Sequence, residues 1–507
     1  MLPLLRRSLL AVALASLAAP VLAQPDLPFA TFAQFTDSLA AIGAIADGDA
    51  RNDALDALWT DLVATEQVPF ALGDSAAFLY RGSAGSVQVA GDHSGWSPRP
   101  LSRVGLSDAW LRVYSFPEAA RLDYKLVVDG NWILDPDNPH QQWSGFGPNS
   151  ELRMPAWVFP EETVRDPDVP AGAFTANQSL TSTHLGYTVR YRVYTPAGYD
   201  ALADLPAIYV TDGHEYADDR LGAFRIVLDN LIAEGRAEPA VVVFIDPRVN
   251  GQNLREEQYV QNPDFASFVA DELVPTIDAA YRTRTDRNGR VILGTSLGGL
   301  FSAYLGLLHP DTFGKLAIQS PAFWVSENPN WWTGPSIYSM MDEAEAGLFD
   351  VYMSTGTIND TEDGARRMRD VFDANDHVLA YREVPEGHSW GNWRALLDEV
   401  LTALLPGAAT DAEDTQGAAP NLLLPPYPNP ARGRVRLHFS LPAPALVRLR
   451  CYDLLGRRGA DPVDGEVFSA GDHSVTVTAD ELGAAGAYIC RLSAGAHTAA
   501  RLITILH

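Results

Sequence analysis

The sequence predicts an α/β protein: a mostly parallel sheet covered by helices on both faces, flanked by two small all-β sandwiches. Three observations predict it. Between about residues 161 and 406 short apolar runs recur at 207–210, 240–245, 291–293, 316–318 and 351–353, with helical patterns between them, as in parallel strands buried on both faces. On either side, from about 77 to 155 and from about 427 onward, the hydrophobic period drops to two, the period of half-buried strands. Between the second and third of these regions, residues 407–421 carry Ala, Asp, Thr, Gly and Pro without any period, the composition of a linker.

Taken in order, residues 1–23 read as a signal peptide. Arg6 and Arg7 give a positive start, 8–19 is a short apolar stretch, and Val21-Leu22-Ala23 supplies a small-residue cleavage site. The apolar part is too short to span a bilayer, and no later segment is long enough. The expected location is therefore secreted or cell-surface. No cysteine follows the cleavage site, which argues against a lipoprotein. Residues 24–75 read as packing helices, because Phe32, Phe35, Leu39 and Ile42, then Leu55, Leu58 and Leu62, recur at helical spacing. In 76–160, Val87 and Val89, Leu111 and Val113, and Tyr124, Leu126 and Val128 alternate with other positions, and Asp129-Gly130 marks a turn. Residues 161–406 form the α/β unit, 407–425 the linker and 426–507 the second sandwich. Cys451 and Cys490, the only cysteines, lie there in phase with apolar neighbours. Export permits a disulfide; two reduced core cysteines fit as well, and the spacing is not that of a zinc site. No metal or other cofactor is expected.

A chain of 507 residues is too long for one core. Its formal net charge is −27, with lysine only at Lys125 and Lys315. Such a surface repels phosphate backbones, which excludes nucleic acid as an expected partner.

The chemistry centres on Gly294-Thr295-Ser296-Leu297-Gly298. An apolar run precedes it and an apolar helical stretch follows, so Ser296 is expected on a sharp strand-to-helix turn at the carboxyl end of a parallel strand. A serine hydroxyl needs a base to take its proton. On an α/β-hydrolase sheet the partners follow in the order acid, then histidine. Asp360 comes just after the run 351–355, with Glu362 and Asp363 as competitors. His388 lies between the last strand and the last helix. The oxyanion donors are expected from the backbone N–H of Leu297 and from the loop Thr211-Asp212-Gly213-His214.

Tyr194-Thr195-Pro196, Val210-Thr211-Asp212-Gly213, the 294–299 turn, His309-Pro310, Gln319-Ser320-Pro321-Ala322-Phe323-Trp324 and Gly387-His388-Ser389-Trp390-Gly391-Asn392-Trp393-Arg394 resemble the putative-esterase family. That family includes enterochelin esterases, feruloyl and acetyl-xylan esterases, and mycolyltransferases. The resemblance implies an α/β-hydrolase fold, a Ser296–His388–Asp360 triad, and an oxyanion hole from the amides of His214 and Leu297. The loop from Gly356 to Asp360 is a residue longer than in many members.

In the first sandwich the runs 89–96, 124–136 and 148–150 resemble the glycogen-binding modules of the early-set immunoglobulin-like superfamily. The resemblance implies that Trp96 and Trp132 stack on a sugar while Lys125 and Asn149 bond its hydroxyls. In many esterases the same tryptophans only pack the module. From Tyr427-Pro428-Asn429-Pro430 onward the tail resembles the sorting domains of type IX secretion and implies export machinery as a partner.

The expected function is a secreted serine esterase acting through an acyl-enzyme, on an acyl or feruloyl ester linked to a carbohydrate or polysaccharide. The alternatives are a siderophore trilactone esterase, an acyltransferase, or a non-catalytic surface glycan-binding protein.

Overall fold

The computed structural model describes residues 29–407, then Leu423, Pro426 and Asn429, and the runs 431–441, 445–453, 458–469, 471–482, 485–494 and 497–506. The signal-peptide reading, nearly all of the linker and the residues Tyr427, Pro428 and Pro430 lie outside the described residues.

Helices Phe32–Gly43 and Gly48–Ala64 are capped by Thr31 and Asp47, whose side chains accept from Gln34 N and Ala50 N. They bury Phe35, Leu39, Leu55, Trp59 and Leu62 against Phe70, Ala77 and Leu79. The alternate residues of the same strand, Ala76 and Phe78, face the other way. Strand Ser75–Arg81 is thus apolar on both faces because helices cover one and a second sheet covers the other. The first strand of this sheet is Phe70–Leu72, ahead of the boundary at 76 read from the sequence. The sheet runs Phe70–Leu72, Ser75–Arg81, Ala109–Ser115, Ser102–Arg103. The facing sheet runs Arg99–Pro100, Val87–Gly91, Arg121–Val128, Gly147–Arg153, Gln141–Ser144, with Asn131–Ile133 also paired to Arg121–Val128. Val89, Leu122, Tyr124, Leu126 and Leu152 fill the space between.

The central sheet has the order Ala173–Phe174, Thr188–Thr195, Val241–Asp246, Ala207–Val210, Arg290–Thr295, Lys315–Gln319, Asp350–Gly356, Val378–Val384. From Val241–Asp246 onward every ladder is parallel. Thr188–Thr195 pairs antiparallel with Val241–Asp246. Tyr209, Val243 and Ile292 point to one core with helix residues Leu300, Phe301 and Ile277. Their sequence neighbours Ile208, Val242 and Leu293 point to another, with Phe224, Val227 and Leu401. Parallel pairing carries the loops that follow the strands from Val241–Asp246 onward to one edge.

In the tail, Arg434–Leu441 pairs with Gly471–Thr478. A second sheet runs Arg458–Phe468, Ala445–Asp453, Gly486–Ala494, His497–Ile505. Cys451 and Cys490 face each other across that sheet and form a disulfide, which decides between the two states open from sequence. Among the described residues no helix is long and apolar enough to cross a membrane.

Candidate active site

Ser296 follows strand Arg290–Thr295 and precedes helix Leu297–Leu308, with φ 57° and ψ −118°. A non-glycine residue in that region stores on the order of 1–3 kcal/mol of strain. The neighbours permit it only because they lack side chains. A Cβ on Gly294 would lie 2.3 Å from the Gly298 carbonyl, and one on Gly298 2.3 Å from Thr211 Oγ1. Backbone bonds hold the turn: Ser296 N donates to Gln319 O (2.9 Å) and Ala322 N donates to Ser296 O (2.9 Å).

His388 and Asp360 come together at the same edge. His388 Nδ1 is 2.6 Å from Asp360 Oδ1. The carboxylate side chain is fully buried, while the imidazole is about one-third exposed (35%). Asp360 Oδ2 accepts from Gly356 N (2.5 Å) and from Ser320 Oγ (2.6 Å). Ser320 Oγ in turn accepts from Trp393 Nε1 (2.9 Å), and the Trp393 ring meets the His388 ring edge-on at 4.9 Å. Burial pushes the Asp360 carboxyl up, but the hydrogen bond and charge of His388, the Ser320 hydroxyl and the Gly356 amide outweigh it and hold it below the usual carboxylate range. The competitor Asp363 has a fully exposed side chain in the first turn of helix Glu362–Ala374; Glu362 opens that helix.

The longer loop ahead of Asp360 has a physical use. Asn359 has φ 52°, a left-handed curl that turns the chain so that the carboxylate of Asp360 reaches back to Gly356 N. Loops 356–360 and 384–388 are also stitched together, Ile358 N donating to Glu386 O (3.1 Å).

His214 and Leu297 occupy the first turns of helices Gly213–Tyr216 and Leu297–Leu308, where N–H groups have no intrahelical acceptor. Gly213 is bare because a Cβ would lie 2.3 Å from the Phe244 carbonyl carbon. Arg255 ties the two turns together: its Nε donates to Asp212 (2.9 Å) and its Nη2 to Thr295 O (3.1 Å). Glu215 Oε2 accepts from Trp390 Nε1 (3.2 Å); burial, helped by the Asp212 charge, pushes this carboxyl up to about 6. Neither Arg255 nor Glu215 was marked by the sequence. Arg255 falls in an unremarkable polar stretch, and only the fold brings it under the serine.

The candidate sugar-binding residues divide. Trp96 and Trp132 are half-exposed and nearly parallel, centroids 6.5 Å apart and planes 22° apart. Lys125 is half-buried on the adjoining strand. Asn149 departs from the group: it is 5% exposed, and its amide donates to Asp123 Oδ2 (3.1 Å). The expectation that Asn149 bonds a sugar hydroxyl is corrected on that ground, because the amide is already engaged in a buried polar cluster.

Residues 182–404 match the model of the Putative esterase family. Among similar proteins, the endo-1,4-β-xylanase/feruloyl esterase of Xylanibacter ruminicola is 27% identical over 218 residues, covering 40% of this chain and 29% of that protein. The iron(III) enterobactin esterase of Dickeya dadantii is 28% identical over 270 residues, covering 46% of this chain and 60% of that protein. An uncharacterized Bacillus subtilis protein is 24% identical over 244 residues, 46% of this chain and 99% of that protein. The chain thus spans under two-thirds of either named esterase. The ferric enterobactin esterase structure from Salmonella typhimurium superposes with a TM-score of 0.57 at 21% identity, over 65% of this chain and 93% of that one. The Shigella flexneri enterobactin esterase, crystallised in the presence of enterobactin, gives 0.55 at 21%, over 65% and 92%. At that identity the likeness speaks for the fold alone.

Proposed function

We propose that this chain is an exported serine esterase that cleaves a carboxylic ester through an acyl-enzyme on Ser296. The observation that carries the reading is the 2.6 Å bond from His388 Nδ1 to a buried Asp360, at the sheet edge where Ser296 sits in a strained turn. Asp360 fixes the tautomer that leaves the other ring nitrogen of His388 free to act as base. The Ser296 hydroxyl attacks the ester carbonyl and gives its proton to His388. The oxyanion is held by the N–H groups of Leu297 and His214, each contributing roughly 3 kcal/mol. Collapse expels the alcohol, which takes the proton from His388. Water then repeats the sequence on the acyl-enzyme and releases the acid; an acceptor alcohol in its place would make the chain an acyltransferase.

An acyl or feruloyl ester on a carbohydrate is the preferred substrate. The paired Trp96 and Trp132 rings support it, since sugar C–H faces stack on such surfaces. The chain just ahead of Trp96 reaches the base loop: Asp92, four residues earlier, packs its side chain where a Cβ on Gly387 would sit. A siderophore trilactone is the second reading, favoured by the similarity to the Dickeya enzyme. Export and surface sorting rest on residues 1–23 and on the tail.

Ser296→Ala should leave the fold intact and lower turnover by on the order of 10⁴ to 10⁶. A fluorophosphonate probe should label wild type and not the variant; labelling that persists without Ser296 sinks the assignment. Turnover of methyl ferulate, acetylated xylan and a catecholate trilactone by wild type ranks the substrates.

A further inference from the structure

Arg121 opens strand Arg121–Val128 and lies on the side away from the sandwich core, which takes Leu122, Tyr124 and Leu126. An arginine on the outer face of a small sandwich is ordinarily solvated, yet this one is completely buried. Its partners explain why. Nη1 donates to Ser389 Oγ (3.0 Å), Nε to Glu151 Oε1 (2.5 Å) and Nη2 to Asp123 Oδ1 (2.5 Å). Glu386 Oε2 is 3.7 Å from Nη1. The Arg121 backbone N–H donates to Pro385 O (3.4 Å). A Cβ on Gly391 would lie 2.1 Å from the guanidinium carbon. One residue of the first sandwich therefore touches the chain before and after His388, at Pro385, Glu386, Ser389 and Gly391.

The same module also reaches the acid. Asp92 O accepts from Asn359 Nδ2 (2.7 Å), next to Asp360. The Asp92 carboxylate accepts from Asp123 N (2.7 Å) and sits against Gly387. His388 lies between strand Val378–Val384 and helix Trp390–Ala395, in a loop that the first sandwich holds from one side while Ile358 N and Asn392 Nδ2 bond it from the other.

We infer that Arg121 is a positioning residue for the base: the first sandwich holds the 385–391 loop so that His388 stands in line between Asp360 and Ser296. The inference rests on the triad proposed above. Only arginine suits the place. Its planar fork serves three acceptors in fixed directions, whereas a lysine offers a point charge. Its loss leaves Asp123 buried without its counter-charge, and leaves Glu151 with Arg153 alone. A shift of the base by about 1 Å is enough to cost on the order of 10²-fold in rate.

The test uses the full chain and p-nitrophenyl acetate, a substrate too small to need either tryptophan. Arg121→Lys and Arg121→Gln should lower kcat about 100-fold with KM changed less than about threefold. Ser389→Ala, which deletes only the hydrogen bond to the loop, should lower kcat about tenfold and is the deciding variant if the arginine variants do not fold. Leu122→Ala is the control, a core truncation facing away from the loop: assayed well below its melting temperature, it should keep wild-type kcat. Fluorophosphonate labelling of Ser296 should slow in step with kcat. Unchanged kcat in a folded Arg121 variant and in Ser389→Ala overturns the inference while leaving the triad standing. An equal loss in Leu122→Ala also overturns it, showing mere destabilisation. Wild type that the probe does not label at Ser296 removes the triad, and the inference with it.

Discussion

The two β-sandwiches of this chain meet the α/β unit in opposite ways. The first buries an arginine among Asp123, Glu151 and Glu386, with side chains 0%, 1%, 5% and 6% exposed in that order. Among the described residues, Arg434 and Arg436 of the tail pair with Asp373 and Asp376 at the surface of the α/β unit. Exposed pairs of that kind contribute about 0–1 kcal/mol each. A buried charge, by contrast, is costly to strand, so removing its partner destabilises by about 3–5 kcal/mol. The first sandwich is thereby part of the site, whereas the contacts described for the tail lie at the surface of the α/β unit.

Two glycines break the comparison most directly. Gly391→Ala drives a methyl into the Arg121 guanidinium, which the acids around it prevent from moving aside. It should destabilise by about 3 kcal/mol and lower kcat on the order of 10²-fold. Gly433→Ala in the tail meets no heavy atom within 4 Å and should change stability by less than about 0.5 kcal/mol. Thermal melts and a soluble-ester assay on both variants check it; similar outcomes would erase the distinction between the sandwiches.

A second test is pH. Burial pushes Glu386 up to about 7, against the pull of Arg121. A carboxyl whose folded value lies above its unfolded one (model value 4.5) is protonated in the folded state while ionised in the unfolded chain. Its contribution to stability therefore falls as pH rises between about 4.5 and about 7. Glu386→Gln removes that term. Relative to wild type it should gain on the order of 2 kcal/mol when the pH is raised from 5 to 8, read by denaturant midpoints. A difference independent of pH would show that the carboxyl is ionised throughout.

What was legible in the sequence follows the same divide. The turn at Ser296 was readable because its chemistry is local: two bare glycines around a serine have few other uses between a strand and a helix. The parallel pairing follows from apolar runs that need cover on both faces, whereas the strand order does not. Asp360 was readable from its place after a strand, and the extra residue before it turned out to be the curl at Asn359. The interface was not readable. Alternation along 121–128 says which residues face away from the core, not what covers them. Arg121, Asp123 and Asn149 look like solvated positions until the α/β unit is laid over them. Arg255, and the bond from Ser320 to Asp360 within a motif the sequence did show, were hidden for the same reason, since each acts on residues 40 positions distant.

A smaller effect sharpens the picture of the first sandwich, whose outer face is only partly covered. Trp132 is 49% exposed, so Trp132→Ala should lose about 1 kcal/mol of stability or less, well short of the 3–5 kcal/mol of a buried tryptophan. If the pair with Trp96 receives a sugar chain, the variant should lose at least tenfold in retention on insoluble polysaccharide while p-nitrophenyl acetate turnover stays unchanged. Wild type that is not retained on any polysaccharide tested would end the sugar-binding reading.

The smallest effect is expected from removing the tail altogether. The α/β unit is closed off before the tail begins: Ala237 bridges Pro406, and Gly407 N donates to Arg236 O (3.0 Å). A chain ending at Gly407 keeps those bonds and gives up the pairs at Asp373 and Asp376, which are partly exposed. The tail's own core, with Val435, Leu449, Cys451, Cys490 and Ile503, is separate from the two cores that flank the central sheet. The shortened chain should therefore keep turnover of a soluble ester within about twofold and the melting temperature of the α/β unit within a few degrees, as expected when few contacts cross a boundary. Reducing the Cys451–Cys490 disulfide in the full chain should be equally silent in the assay, because the bond staples two strands of the tail to each other and to nothing else. In its native host the shortened chain should lose its surface location while remaining active. A tenfold or greater loss of turnover on truncation would mean that the tail, like the first sandwich, helps to build the site.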